Sequence, residues 1–316
     1  MPTNHPFFTP GTSLSKRKLK RYGPVGNNAM VSMQLARKTA YFLLFMGLSI
    51  PMFYAPMRLL VNSSLGNELY SHIILIPLVS IYLIYSGRKE IFQKNDASVI
   101  PGSILVVAGI LFYFVGRVLD AELDQNDFLS VMTFAAVLCW IGGFILFYGL
   151  ESSRFALFPL LFLFFMVPVP GFLMEGIILL LQTCSAEVSY GFFKLTGVPI
   201  FREGFTFHLP GLSVEVAKQC GGIRSSLVLF IVSILMGHLF LSSWRRKFVL
   251  SLCVLPITIV KNAIRIVTLT LLGVYVDPRI LESTLHMRGG IPFFIVALSL
   301  LGVVLWFLRR SEKVPR

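Results

Sequence analysis

The chain has 316 residues, of which 55% are hydrophobic, 13% aromatic and only 14% charged, and its mean hydropathy is +0.78. A soluble fold of this length cannot hide so much apolar surface, so the composition excludes a soluble globular protein and points to an all-α polytopic membrane protein. The net charge of +13 would suggest nucleic acid in a soluble chain. Here the cations fall in short segments between apolar runs, as the positive-inside rule requires, so the charge reports topology and no nucleic-acid partner is expected.

Residues 1–38 carry Lys16, Arg17, Lys18, Lys20, Arg21, Arg37 and Lys38 among Pro, Gly, Asn and Ser, which reads as a disordered basic tail on the cytoplasmic side. The first span is expected from about Ala40 to Val61, retained rather than removed as a signal peptide because no small-residue cleavage site follows it. A second, from about Ser71 to Tyr85, returns to Arg88, Lys89 and Lys94. The third, about Ile100 to Gly116, leads to an acidic outer loop with Asp120, Glu122, Asp124 and Asp127, and the fourth, about Phe128 to Leu150, returns to Arg154. A fifth, about Phe155 to Val167, is stopped by Pro168-Val169-Pro170-Gly171.

Residues 171–195 are ambiguous. Ile177 to Leu181 is apolar, whereas Glu175, Gln182, Glu187 and Lys194 interrupt the segment. Charge parity decides, because counting it as a span would put the basic turn Trp244-Arg245-Arg246-Lys247 outside. It is therefore expected to lie on the outer surface as an interfacial helix. Phe205 to Leu209 and Leu212 to Val216 alternate around Pro210-Gly211 like a β-hairpin. Three more spans follow at about Ile223 to Leu241, Phe248 to Leu272 and Ile291 to Leu308. The expectation is about eight transmembrane helices in a domain over 39–310, with an extracytoplasmic insert at 171–220, both termini cytoplasmic and a short tail at 311–316.

This topology gathers chemistry on the outer face. Cys220 sits in Lys218-Gln219-Cys220-Gly221-Gly222-Ile223-Arg224, at a strand-to-helix junction where free N–H groups and two cations favour a thiolate. Arg265 lies inside an apolar run, roughly 10 Å below the outer end at 1.5 Å per residue, and an arginine so placed is costly and usually functional. Asn262 shares its helical face, and His286 falls in the following outer loop. A thiolate, a proton carrier and a positive donor meet the needs of acyl transfer. Each has a blander reading: a packed cysteine, an arginine that snorkels or binds lipid phosphate, an ordinary loop histidine. Arg224 is suited to hold a carboxylate or to snorkel. Arg288 is a third polar partner that cannot act as base, and Asn262 and Lys261 are supporting residues. His72, His208, His238 and the four cysteines show no metal-ligand spacing, and zinc-protease, serine-hydrolase, nucleotide-binding and disulfide patterns are missing. No metal or cofactor is expected.

Cys220-Gly221-Gly222-Ile223-Arg224-Ser225-Ser226, Asn262-Ala263-Ile264-Arg265-Ile266 and His286 with Arg288-Gly289-Gly290 together resemble the exosortase/archaeosortase family of polytopic membrane cysteine transpeptidases. The resemblance covers about residues 65–310. It implies a catalytic triad of Cys220, Arg265 and His286 on the extracytoplasmic face of a prokaryotic cytoplasmic membrane, with Arg224 as an accessory residue. It further implies partners in the form of secreted proteins with a C-terminal sorting tail: a short motif such as Pro-Glu-Pro, a transmembrane helix and a basic end. The second glycine, Gly222, stands where other residues also occur in the family. A competing reading is a non-catalytic export or assembly subunit for surface polysaccharide, binding lipid phosphate through Arg265 and Arg224.

Overall fold

The computed structural model describes residues 24–66, 70–93, 98–216, 223–277 and 290–312. Among these, seven helical stretches are long and apolar enough to cross a membrane, and the fold is an all-α polytopic membrane bundle with one small sheet. Helix α1 (Pro24–Gly66) begins inside the expected basic tail and well before Ala40, where the first span was expected. In the turns just before Ala40, Leu35 lies against the buried cluster around α5, and the Thr39 hydroxyl accepts from Tyr148 at 3.2 Å. Helix α2 (Leu75–Ser86) and the four-residue α3 (Arg88–Ile91) lead to α4 (Val99–Val118) and α5 (Gln125–Phe155). Within its most apolar window α5 is 72% buried, against 17% for α1 and α4. It is therefore the pillar that protein surrounds, while its neighbours turn large apolar side chains such as Leu65, Ile100 and Val118 outward, as lipid-facing helices do.

The α4–α5 pair is close because glycine lets it be. Gly102, Gly109 and Gly116 recur every seventh residue and are buried on one face of α4. A Cβ added at Gly102 would stand 2.5 Å from the Leu146 amide nitrogen, and one at Gly109 2.6 Å from Cys139 Sγ. The return face is matched by Gly142, whose Cβ would meet the Val106 nitrogen at 2.7 Å.

Helix α6 (Leu157–Phe162) continues as a 3-10 turn (Leu163–Met166) up to the prolines that were expected to end it. The proline turn is pinned to the start of α5. Asn126 donates to the Val169 carbonyl at 3.0 Å, Ser130 to the Pro168 carbonyl at 2.9 Å, and the Gly171 amide donates to Asp127 Oδ1 at 2.6 Å. Asp127 thereby serves an orphan N–H at the head of α7 (Gly171–Thr196) from a neighbouring helix. The Tyr70 hydroxyl donates to Asn126 Oδ1 at 2.7 Å. Burial first, then the Asp124 and Asp127 carboxylates, raise its pKa above the usual phenol range, so it remains a donor.

A three-stranded antiparallel sheet follows, in the order β1 (Phe201–Glu203), β2 (Thr206–Leu209), β3 (Leu212–Glu215). The expected hairpin is present, with Leu209 opposite Leu212 and Thr206 opposite Glu215. Its turn carries Gly211 at φ 78°, a left-handed conformation that glycine takes without strain. Phe207 and Leu209 point inward and, with Val216, pack on Ala186 and Phe193 of α7.

Helices α8 (Ile223–Phe240), α9 (Trp244–Leu252), α10 (Val254–Tyr275) and α11 (Gly290–Glu312) complete the bundle. The same inward face of the sheet also meets Ile266 and Val267 of α10. Glu312 fastens the corner between α8 and α9, accepting from the Ser242 and Ser243 amides and pairing with Arg246 at 3.5 Å.

The length of α7, 26 residues, suffices to cross a bilayer, where an interfacial helix was expected. Phe158 stacks on His238 and Phe165 meets Phe230, so α6 and α8 run antiparallel, and the proline turn lies level with the head of α8. The head of α7 is tied to that turn, and its far half lies under the sheet on the later turns of α10. The sheet has open edges and cannot lie in hydrocarbon. It marks one end of the bundle, and Arg88, Lys89, Arg154, the Arg245 to Lys247 turn, Arg309 and Arg310 lie at or near the helix ends of the other.

Substituting Gly102 or Gly109 with valine should lower the unfolding midpoint of the detergent-solubilised protein, with a loss of about 1–3 kcal/mol from overpacking. Gly47→Val, where a Cβ would meet nothing within 4 Å, should leave it unchanged.

Candidate active site

Two fixed points flank the segment that carries Cys220. Upstream, Val216 is 1% exposed; its amide donates to the Phe205 carbonyl at 2.9 Å and its carbonyl accepts from Gln182 Nε2 of α7 at 2.6 Å. Downstream, α8 starts at Ile223, and Ser225 in its first turn accepts a hydrogen bond from Lys261 Nζ of α10 at 2.6 Å. Cys220 itself, like His286 and Arg288, lies outside the described residues.

Helix α10 carries the polar column. Thr258, Lys261, Asn262 and Arg265 recur at three- and four-residue steps along one side of it. Thr258, Lys261 and Asn262 are 1%, 4% and 0% exposed, while Arg265 is half-buried. Asn262 Nδ2 donates to Ser185 Oγ of α7 at 3.1 Å, and its Oδ1 has no partner among the described residues. Arg265 stands ten residues before the end of α10 at Tyr275, roughly 15 Å at 1.5 Å per residue. Helix α10 runs on past Leu272, where its outer end was expected, and its later turns pack beneath the sheet. Arg224 lies exposed in the first turn of α8, next to the Ser225 that Lys261 grips.

Of the residues marked in the sequence, Asn262 and Arg265 thus share α10, and Arg224 precedes the Ser225 that Lys261 binds. Gln182, Ser185 and Ser225 were missed as anchors. Gln182 stood out only as an interruption in an apolar run, and nothing local marks a serine as the partner of a lysine 36 residues away. Two other histidines have structural surroundings: His208 Nδ1 lies 2.8 Å from Ser213 Oγ, and His238 stacks on Phe158 at 3.6 Å between centroids.

Beside this cluster lies an apolar cavity of about 880 Å³, walled by the 3-10 turn, α7, α8, α9 and α10. Ser226, one residue beyond Ser225, and Thr258 contribute to its lining, and Thr258 Oγ1 has no partner among the described residues. Five of its walls, Leu173, Phe230, Phe248, Leu252 and Leu255, are also exposed on the outside of the bundle. The cavity therefore opens sideways, between helices, towards lipid.

Fold and site together define an integral membrane protein whose buried polar cluster stands beside a lateral apolar cavity. The profile of the transmembrane exosortases matches residues 61–303, and the chain belongs to that family. Searches among curated proteins and among solved structures returned no match.

Replacing Gln182 with methionine leaves the buried Val216 carbonyl without its donor. The expected cost is about 1–3 kcal/mol, read as a lower unfolding midpoint.

Proposed function

We propose that the protein is a membrane cysteine peptidase and transpeptidase that processes secreted proteins bearing a C-terminal sorting signal of short motif, transmembrane helix and basic end. One observation carries the reading: in a chain of the exosortase family, Ser225 at the head of α8 is bonded to Lys261 in the polar column of α10 that also bears Asn262 and Arg265, next to an apolar cavity. An apolar helix entering from the bilayer can lay one face in that cavity, which brings the peptide just outside it to the head of α8.

The thiolate of Cys220 attacks the peptide carbonyl near the motif. A sulfur–carbon bond forms, Arg265 and the free N–H groups at the head of α8 hold the oxyanion, and the carbon–nitrogen bond breaks as the amine leaves with the tail helix. His286 accepts the thiol proton and returns it to that amine. A second nucleophile, an amine or water, then releases the acyl group and frees the sulfur. Arg224, Asn262 and Arg288 are accessory residues in this scheme. The site faces the extracytoplasmic side of a prokaryotic cytoplasmic membrane, since the opposite end of the bundle carries the basic turns and the site end the acidic residues Asp120, Asp124 and Asp127.

The test is mass spectrometry of protein C-termini in cells carrying the wild-type protein or Cys220→Ala. Discrete truncated C-termini should vanish with the variant and full-length tailed precursors accumulate, which also identifies the motif. Unchanged C-termini in a well-expressed variant would overturn the reading. Processing that persists in Cys220→Ser would point to the lipid-binding subunit.

A further inference from the structure

Lys261 is the buried charge that the scheme above leaves idle. An ammonium within an apolar helix is expensive, and the surroundings here do little to offset it. Among the described residues no carboxylate pairs with Lys261, and Arg265, a second cation, follows one turn later on the same helix. An apolar residue of similar volume would tie α10 to α8 at least as well. What a hydrocarbon side chain could not do is hold a hydroxyl. Lys261 Nζ donates to Ser225 Oγ at 2.6 Å, and Ser225 belongs to the first turn of α8, whose amides have no intrahelical acceptors.

From this geometry we infer that Lys261 is a positioning residue for the reaction: through Ser225 it fixes the orientation of the first turn of α8, and its charge adds to the positive potential that turn presents to the thiolate and the oxyanion. The inference rests on the proposed cysteine chemistry. Two separate contributions follow. The tether requires both side chains, whereas the charge requires only the lysine. The opposite flank of the Cys220 segment is held independently, by Gln182 on Val216, so the tether governs one end of that segment without being needed for the fold of the sheet.

The test uses the full-length protein in detergent and two readouts. One, free of any substrate, is the rate of iodoacetamide alkylation of Cys220, followed by peptide mass spectrometry to separate it from Cys139, Cys184 and Cys253. The other is turnover of a tailed precursor found by C-terminal mass spectrometry. Lys261→Met should slow alkylation and turnover about tenfold or more, the factor that a hydrogen bond to a charged group is worth, and leave KM within about twofold, because the loss falls on the transition state. Lys261→Arg, which keeps the charge and a donor, should recover part of the rate. Ser225→Ala should reduce both rates by a smaller factor, and the double variant should be no slower than Lys261→Met, since the tether is shared.

Alkylation and turnover unchanged in both Lys261→Met and Ser225→Ala would overturn the inference while leaving the enzyme reading intact, provided Cys220→Ala abolishes processing. Processing that survives Cys220→Ala would overturn the enzyme reading, and the alkylation rates would still decide whether Lys261 governs the thiol. Should Lys261→Met fail to fold, Ser225→Ala carries the test alone, and an unchanged alkylation rate in that variant overturns the tether.

Discussion

Peptide groups outside a helix have no partner in hydrocarbon, and that constraint arranges the whole of the site end. The three-stranded sheet has open edges, so it can exist only where water or protein supplies hydrogen bonds. Helix α7 and the late turns of α10 provide the protein side, covering Phe207, Leu209 and Val216. The sheet leads to Val216 and α8 begins at Ile223, where the polar column of α10 meets its first turn through Lys261 and Ser225. The buried bonds from Gln182 to Val216 and from Asn262 to Ser185 are what an apolar environment makes worthwhile: without them, each polar group would sit unpaired.

The rest of the bundle provides rigidity against which Val216 and the head of α8 can be held. Helix α5 is enclosed on most sides, its start is bound to the proline turn, and α4 runs so close to it that backbone meets backbone at Gly102 and Gly142. Asp127 links this rigid part to the site by serving the start of α7. Few of these contacts are hydrophobic in the sense that matters for soluble proteins, since lipid is as apolar as the core; close packing and hydrogen bonds carry the specificity.

Much of this was legible in the sequence because membrane chains announce their exceptions. A charge or an amide in an apolar run is visible by contrast, which is how Arg265, Lys261 and Asn262 came forward, and the double proline at 168 and 170 ended a helix as its chemistry requires. The hairpin was legible from its alternation and its glycine. Strand β1 was not, being three residues long with Arg202 and Glu203 in it and no apolar alternation to detect. The bond between Thr39 of α1 and Tyr148 joins positions more than a hundred residues apart, and the turns of α10 beyond Leu272 lie under a sheet that no local signal connects to them. Partnerships such as Lys261 with Ser225 join two elements whose spacing along the chain carries no period, so neither residue betrays the other. The family's motifs around Cys220 and His286 were readable as words.

The sideways opening between Phe230, Phe248 and Leu255 alters what concentration means for this protein. A molecule that enters through it travels in a sheet of lipid and not in a volume of water, so encounter depends on how many copies share each patch of membrane. Dilution of the aqueous medium leaves that number untouched, while adding lipid lowers it. Occupancy of the cavity is therefore set by membrane area, and by whichever lipid tails compete for the same apolar walls.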